Sequence, residues 1–351
     1  MGDTVLQQRS SDGPTRLGQY NGVESPLNFG DPGGELALLR SSCAIFELGW
    51  RGKIAVSGKD CVRWLHNMVT NNVRDLPLNR GAYNFVLNAQ GRILGDLYIY
   101  NRGDLLLLDT DQAQVETLLA AMKRFIIMDK VEMAAAGEIR AIALCGPRAR
   151  DVLAAARVDA KDLEPLEIRE QQVDQSHMVL ARGPENKPGW YEVWIENDGS
   201  SLEKIREKLR VAGAKPAGTD ALELWRILHG IPHYGQDIRE RDLPQETGQE
   251  QALNFTKGCY IGQEIVERIR SRGQVHRKFT GFEFPDESPG LGKYESEGRV
   301  LAEITSLARL PAAEGERKIG LGYVRREALE AGPEMEVGGN KARIVELPFA
   351  V

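Results

Sequence analysis

Cysteine is scarce in this chain, and what there is stands apart. Cys43, Cys61, Cys145 and Cys259 form no CxxC pair and no cluster with histidine. That excludes a self-contained iron–sulfur cage or a structural zinc site and fits a reducing compartment. Long apolar runs are missing too, so no bilayer span is expected. The first residues lack the apolar core of a secretory signal, and Asp3 and Asp12 argue against a transit peptide. Leu6 spoils a myristoylation match after Met1-Gly2. A cytoplasmic protein without membrane contact is the expectation. No excess of positive charge exists: the net charge is −6, so direct nucleic-acid binding is not expected. The basic run from Arg268 to Lys278 is the local exception. It reads as a solvated face or as a docking site for an anionic partner. No internal repeat is visible.

What is present suits a globular protein of two or three domains. The 351 residues, 42% hydrophobic and 27% charged, are enough for separate cores. Residues 1–32, rich in Gly, Pro, Ser and Gln, read as a loose tail with a few docked turns. Leu36, Leu38, Leu39 and Cys43 suit one face of a helix, and Ile45 to Leu48 and Lys53 to Val56 suit strands. Gly58-Lys59-Asp60 is a turn ending in an N-cap, and Val62, Leu65, Met68 and Val69 stripe the next helix. His66 on that helix reads as a surface or capping residue. Hairpin patterns follow over Ala82 to Tyr100 and on to Leu108, then a helix with Val115, Leu118, Leu119 and Met122 on one face. Further strands read at Val131 to Ala135, Ile139 to Cys145, His177 to Arg182 and Trp190 to Glu196, with a charged helix from Leu202 to Val211. Hairpins interleaved with crossing helices point to an α+β, ferredoxin-like plan. Beyond Lys278, short alternating strands between Gly, Pro and Asp turns predict a C-terminal antiparallel β-barrel.

Two stretches carry chemistry. In Lys257-Gly258-Cys259-Tyr260-Ile261-Gly262-Gln263-Glu264 a thiol stands between glycines, two residues after a lysine and just ahead of a helix-like run. A nearby ammonium and helix-start N–H groups both favour a thiolate, and the glycines let the backbone bend. The bland alternative is a small apolar cysteine packed under a tight loop. In Ala221 to Ile238 (ALELWRILHGIPHYGQDI), Leu222, Leu224, Trp225 and Leu228 make a buried helix that Gly230 ends. His229 and His233 flank that end and read as structural, because a two-histidine metal site lacks a third ligand.

KGCYIGQE, followed by Arg268, resembles the signature of the YgfZ family of folate-binding proteins that support iron–sulfur proteins, a family similar in fold to the glycine-cleavage T-protein, an aminomethyltransferase. Arg40 to Asp75, including Thr70-Asn71-Asn72-Val73, is similar to the T-protein pattern, and the resemblance runs from about Leu36 to the C-terminus. It implies ferredoxin-like α/β domains around a central folate cavity. The first, discontinuous domain takes residues 33–55 and 138–277, the second 56–137, and the β-barrel 278–351. It also implies tetrahydrofolate as cofactor, with Asp96 beside the folate ring; an ordinary strand-edge acid is the alternative. Tyr83 and Asn88 would flank the cavity, and Arg226 would take either the folate glutamate tail or an internal acid. T-proteins carry two adjacent acids where this chain has Gly95-Asp96, and a glutamate where it has Leu228. Those departures lead to the expectation of a tetrahydrofolate-binding accessory protein for iron–sulfur cluster assembly or repair. Cys259 and Lys257 would be its reactive groups, and iron–sulfur proteins or their assembly factors its partners. A folate-dependent aminomethyltransferase is the alternative. A role in tRNA modification would be indirect, through iron–sulfur enzymes.

Overall fold

A computed structural model describes residues 13–196, 199–273, 275–296, 298–312 and 315–350. Part of the segment read as a loose tail is an ordered hairpin. β1 (Arg16–Tyr20) and β2 (Val23–Asn28) pair antiparallel. Asn21 and Gly22 between them sit at φ of 49° and 78°, the backbone that a two-residue hairpin with right-handed strand twist demands. The Asn-Gly signal was in the sequence, but its flanks alternate too weakly to read as strands. Residues 1–12, the rest of that tail, lie outside the described ones.

α1 (Pro32–Ser41) begins where the Asp31 side chain accepts from Gly34 N and runs into β3 (Ala44–Glu47). Next come β4 (Arg51–Ser57), α2 (Cys61–Met68), β5 (Gly81–Leu87), β6 (Ile93–Asn101), β7 (Leu105–Asp111), α3 (Gln112–Lys123) and β8 (Glu132–Ala135). Their strands form a five-stranded antiparallel sheet in the order β5-β6-β7-β4-β8. All of β4 belongs to it, through its pairing with β7 and β8. Side chains alternate along each strand. Ile54, Val56, Val86, Leu97, Ile99 and Leu108 therefore pack under α2 and α3, while Arg51, Tyr83, Asp96, Tyr98 and Asp111 share the opposite parity and face.

The chain then returns to β3. β9 (Ile139–Cys145), α4 (Ala149–Ala155), β10 (Ile168–Val173), β11 (Ser176–Arg182), β12 (Tyr191–Glu196), α5 (Gly199–Val211), β13 (Lys215–Pro216) and α6 (Thr219–Leu228) complete the first domain. Its sheet runs β10-β11-β12-β9-β3-β13, with β13 parallel to β3. Tyr191, Val193 and Ile195 pack beneath α4 and α5, which turns Trp190, Glu192 and Trp194 to the inner side. There Trp194 meets Tyr100 edge-on at 5.1 Å and joins the two sheets. After α6 a long connection with 3-10 turns at Pro244–Glu246 and Glu250–Ala252 leads to α7 (Gln263–Arg272).

β14 (Arg277–Phe284), β15 (Gly292–Ser296), β16 (Arg299–Ala312), β17 (Gly315–Arg325), α8 (Arg326–Ala331), β18 (Glu334–Val337) and β19 (Asn340–Val345) end the chain. The antiparallel sheet β15-β16-β17-β14-β19-β18 curls into a half-barrel, which corrects the expected closed one. Closure requires the two edge strands to pair, and β15 and β18 remain edges. The sheet covers its apolar residues in another way: Leu310, Ile319, Leu321 and Tyr323 share a core with Trp225 and Leu228 of α6.

Candidate functional site

The inner faces of the two α+β sheets do not close on each other completely. Between them, α6 and the tip of the β1–β2 hairpin lies a partly open cavity of about 110 Å³. Tyr83 and Asp96, both expected here, line it. Tyr83 Oη donates to Asp96 Oδ2 at 2.7 Å, and Gln114 Nε2 donates to Asp96 Oδ1 at 2.8 Å. Burial raises the Asp96 pKa and nearby Asp111 adds to the rise, against the lowering pull of those two hydrogen bonds.

Asp111, at the end of the next strand, has the opposite fate. Arg51 lies 2.6 Å from it and also 2.9 Å from Asp109, which takes Lys53 at 2.5 Å. His233 Nε2 stands 3.1 Å from Asp111 Oδ2. Burial alone would raise Asp111, but Arg51 and His233 hold it at about 2. Burial opposes the charged form of His233, yet its bond to Asp111 raises its pKa. His233 was read as structural; it lines the cavity. One acid biased toward its protonated form and one held ionised, within one cavity, is an arrangement suited to moving a proton.

Several lining residues went unread in the sequence, Tyr20, Glu192 and Lys187 among them. Tyr20, at the hairpin tip, donates to Glu223 Oε1 at 2.7 Å and stacks on His233 with centroids 6.2 Å apart. Glu192 is gripped from both sides: Trp190 Nε1 donates to Oε1 at 2.9 Å and Trp194 Nε1 to Oε2 at 2.8 Å. Strand parity places residues 190, 192 and 194 on one face, which was the available signal. Lys187 precedes them in the loop and also faces the cavity.

Other expected residues sit elsewhere or are already engaged. Asn88 is corrected to a turn former outside the cavity lining: its Oδ1 accepts from Gln90 N and Arg92 N at the β5–β6 turn. Arg226 borders the cavity, but its five N–H groups go to Glu223, Asp237, the Ile231 carbonyl and Ser306. It takes internal acids and braces the wall rather than offering a free fork to a ligand carboxylate. Leu228 is 2% exposed and does not line the cavity, so the carboxylate thought lost at that position is no loss to the cavity. Of the segment Arg40 to Asp75, Leu48, Trp50 and Arg51 reach it. Thr70 and Asn71 instead tie β5 to Gln251 and Ala252.

Cys259 is exposed and lies outside the cavity lining. Lys257 is buried, and its ammonium donates to the carbonyls of His66 (2.5 Å), Val69 (2.6 Å) and Asn71 (2.9 Å) at the end of α2. All three donors are thus used, and none is left for a thiolate. Burial and Arg74 push its pKa down to about 7, while the three carbonyls favour the charged form. Gly262 has a φ of 83°, and a Cβ there would come within 2.6 Å of Asn88 O, so the loop needs glycine to dock on the β5–β6 turn. His66 is corrected to a buried residue whose Nδ1 accepts from Val73 N and Arg74 N. Burial and Lys257 push its pKa down to about 4. Among the described residues, no group of three His, Cys, Asp or Glu side chains could hold a metal, and no helix is long and apolar enough to cross a membrane.

Two α+β units with an acid-lined cavity between them, and a curled β-sheet packed on α6, match the fold of a solved aminomethyltransferase. The structure of glycine cleavage system aminomethyltransferase T from Bartonella henselae superposes with a TM-score of 0.85 at 20% identity, covering 96% of this chain and 94% of that one. The chain belongs to the family of the GCVT N-terminal domain, whose model matches residues 6–257. Relatives named aminomethyltransferase include one from Thermoanaerobacter pseudethanolicus, 26% identical over 91% of this chain and 88% of its own. Another, from Rubrobacter xylanophilus, is 29% identical over 95% of this chain and 90% of its own.

Proposed function

We propose that this chain binds tetrahydrofolate in the central cavity and acts there as a folate-dependent transferase of the aminomethyltransferase type. The observation that carries the reading is that the Tyr83–Asp96 pair, held by Gln114, and Glu192 line one cavity. The donor set fits a pterin. Glu192 has its two oxygens oriented by indoles and keeps lone pairs for N–H groups of a ligand, each such charged bond being worth about 1.5–3 kcal/mol. Trp190 and Tyr98 supply flat apolar faces. A wider groove of about 710 Å³ shares Asn186 and Gln249 with the cavity and gives a ligand tail a way out.

Bound tetrahydrofolate would supply the amine nitrogens that accept a one-carbon unit. Asp96 would hold or release the proton at its carboxyl, with Tyr83 and Gln114 fixing its orientation and Arg51 and Asp111 setting the local charge. The absence of a second acid at Gly95 does not empty the cavity of acid. Position 95 points at α3, where a Cβ would lie 2.7 Å from Leu118 Cδ2. Relatives named aminomethyltransferase over nearly the whole chain favour this reading over a purely accessory role.

One observation supports a second reading. The exposed Cys259, on a loop that Lys257 clamps to α2, suits exchange with a partner's thiol or iron centre, as in a folate-binding accessory protein for iron–sulfur assembly or repair. Two experiments separate the readings. Calorimetric titration with tetrahydrofolate is expected to give micromolar affinity, a binding free energy of about −8 kcal/mol; no heat at millimolar ligand removes the folate claim from both. Ammonia release from an aminomethyl-loaded lipoyl carrier is expected on the first reading. Its absence, together with failure of Cys259→Ala to support iron–sulfur enzymes in cells, would leave the second.

A further inference from the structure

The connection from α3 to β8 sets two large apolar side chains in water. Ile127 is 83% exposed and Met128 91%, while Phe125 and Ile126 just before them pack against the core under α2 and α3. The connection is not slack. Phe125 N donates to Met122 O and Ile126 N to Lys123 O, both at 3.0 Å, and Trp64 Nε1 donates to Phe125 O at 3.3 Å. On its far side Lys130 N donates to Asp60 Oδ2 at 2.9 Å, which ties it to the turn between β4 and α2. The tip is held out by its surroundings, so an occupant that covers it has little chain to order.

Charge near the tip is mostly of one sign. Lys123, Arg124 and Lys130 flank it, and Lys59 stands in the turn to which Lys130 is bonded; all four are exposed. Among the described residues none of the four is in an ion pair, and Lys59 acts on Asp60 only through space. The two acids of these turns, Asp60 and Asp129, both go to Arg63, at 3.4 and 2.5 Å. Over residues 58–63 and 123–130 five cations stand against two carboxylates, in a chain whose net charge is −6. Glu132, at the start of β8, is the next acid.

Two features decide what covers the tip. Its apolar area is that of two side chains, well short of the roughly 800 Å² per partner that a stable protein interface buries. A second copy of the chain or a rigid protein partner therefore gains little there. A lipid surface needs no matching pocket, and its anionic headgroups answer the flanking ammonium and guanidinium groups. The expectation of no membrane contact came from the lack of a spanning run, and attachment to a surface needs none.

We propose that the Ile127–Met128 tip is a peripheral membrane contact, its two side chains entering the headgroup boundary of an anionic lipid surface while Lys59, Lys123, Arg124 and Lys130 lie against the phosphates. The rest of the chain carries net negative charge, so the field that draws this end in repels the remainder and orients the molecule. The contact does not rest on the folate reading. α3 starts beside Asp111 and its 12 residues span about 18 Å, which sets the tip well away from the cavity.

The test is co-sedimentation of the full-length protein with vesicles of phosphatidylcholine alone and of phosphatidylcholine and phosphatidylglycerol in equal parts. Binding to the mixed vesicles at about 50 mM salt should exceed binding to the neutral ones by at least about tenfold, and should fall about tenfold or more at about 500 mM salt. Ile127→Ser with Met128→Ser should weaken binding to mixed vesicles by at least about tenfold. Lys123→Gln with Lys130→Gln should do the same. Both variants should keep the wild-type midpoint in urea and the wild-type affinity for tetrahydrofolate. Wild-type protein that stays in the supernatant with mixed vesicles overturns the proposal. So does sedimentation unchanged by Ile127→Ser with Met128→Ser, because charge elsewhere would then carry it, and so does a lowered urea midpoint in that variant, because the tip would then be packed. A wild-type dimer in analytical ultracentrifugation that the same variant dissociates, with no vesicle binding, gives the tip to a second copy instead. Vesicle binding by a protein that takes up no tetrahydrofolate supports this contact and overturns the folate reading alone.

Discussion

In the central cavity, Arg51 is shared between Asp109 and Asp111, while Asp96, Glu192 and Lys187 face open space. In the Lys257–Glu264 loop, the one buried amine gives all its donors to backbone carbonyls and the one thiol stands at the surface. Both regions are rich in polar groups, yet they use burial differently. The cavity spends buried charge on orienting groups that remain available to a ligand. The loop uses its buried charge to hold itself down, and keeps its reactive atom outside. Charged groups near one another in sequence are thus poor guides to which of them act together.

That contrast can be broken at either end. The largest effect is expected from Asp96→Asn: turnover of an aminomethyl donor should fall by about 10²–10⁴-fold, with tetrahydrofolate affinity changed by less than about threefold. Wild-type turnover by this variant would mean that chemistry does not occur in the cavity. Next comes Arg226→Met, which strands Asp237, a residue of 0% exposure. A loss of about 3–5 kcal/mol in urea unfolding is expected; a loss below about 1 kcal/mol would mean the guanidinium is not the brace described.

A smaller, pH-dependent effect belongs to Asp111. Its folded pKa of about 2 lies below the ordinary 3.8, so the folded state binds fewer protons between those values. Its stabilising contribution is full above 3.8 and is lost as the pH falls through about 2. The stability gap between wild type and Asp111→Asn should therefore shrink by about 2 kcal/mol over that range. A gap that stays constant on acidification would show that Arg51 and His233 do not hold the carboxylate. The smallest effect is expected for Cys259→Ala, within about 0.5 kcal/mol of wild type in the same urea assay. A larger loss would place the thiol in packing rather than at the surface.

Much of the architecture was legible from periodicity. α2, α3, α5 and α6 appear where apolar residues recur at helical spacing, and β5, β6, β9, β11 and β12 where they alternate. Elements with mixed or charged faces were harder: the β1–β2 hairpin, β10, β15 and α8 carry too few apolar residues in register to stand out. Within the candidate site, Tyr83 and Asp96 were readable because their motif placed them, whereas Asn88, four residues or fewer from a turn glycine, went to the turn. Glu192 and Lys187 were missed because a lone acid between tryptophans and a lysine beside proline look like ordinary edge and loop residues until a second sheet is laid over them.

From its own residue order, the chain settles which of the strongly periodic segments are helix or strand, which face of each is oily, and that one of its thiols sits in a glycine-flanked loop. Those are local matters, decided by side-chain spacing and backbone freedom over a few residues. Which acid has its pKa raised by burial, which is held ionised, and which lysine clamps a helix end were decided only in three dimensions. The reason is that a pKa and a hydrogen-bond partner depend on burial and on charges brought close from distant parts of the chain, here β4, β7, β12 and the turn after α6.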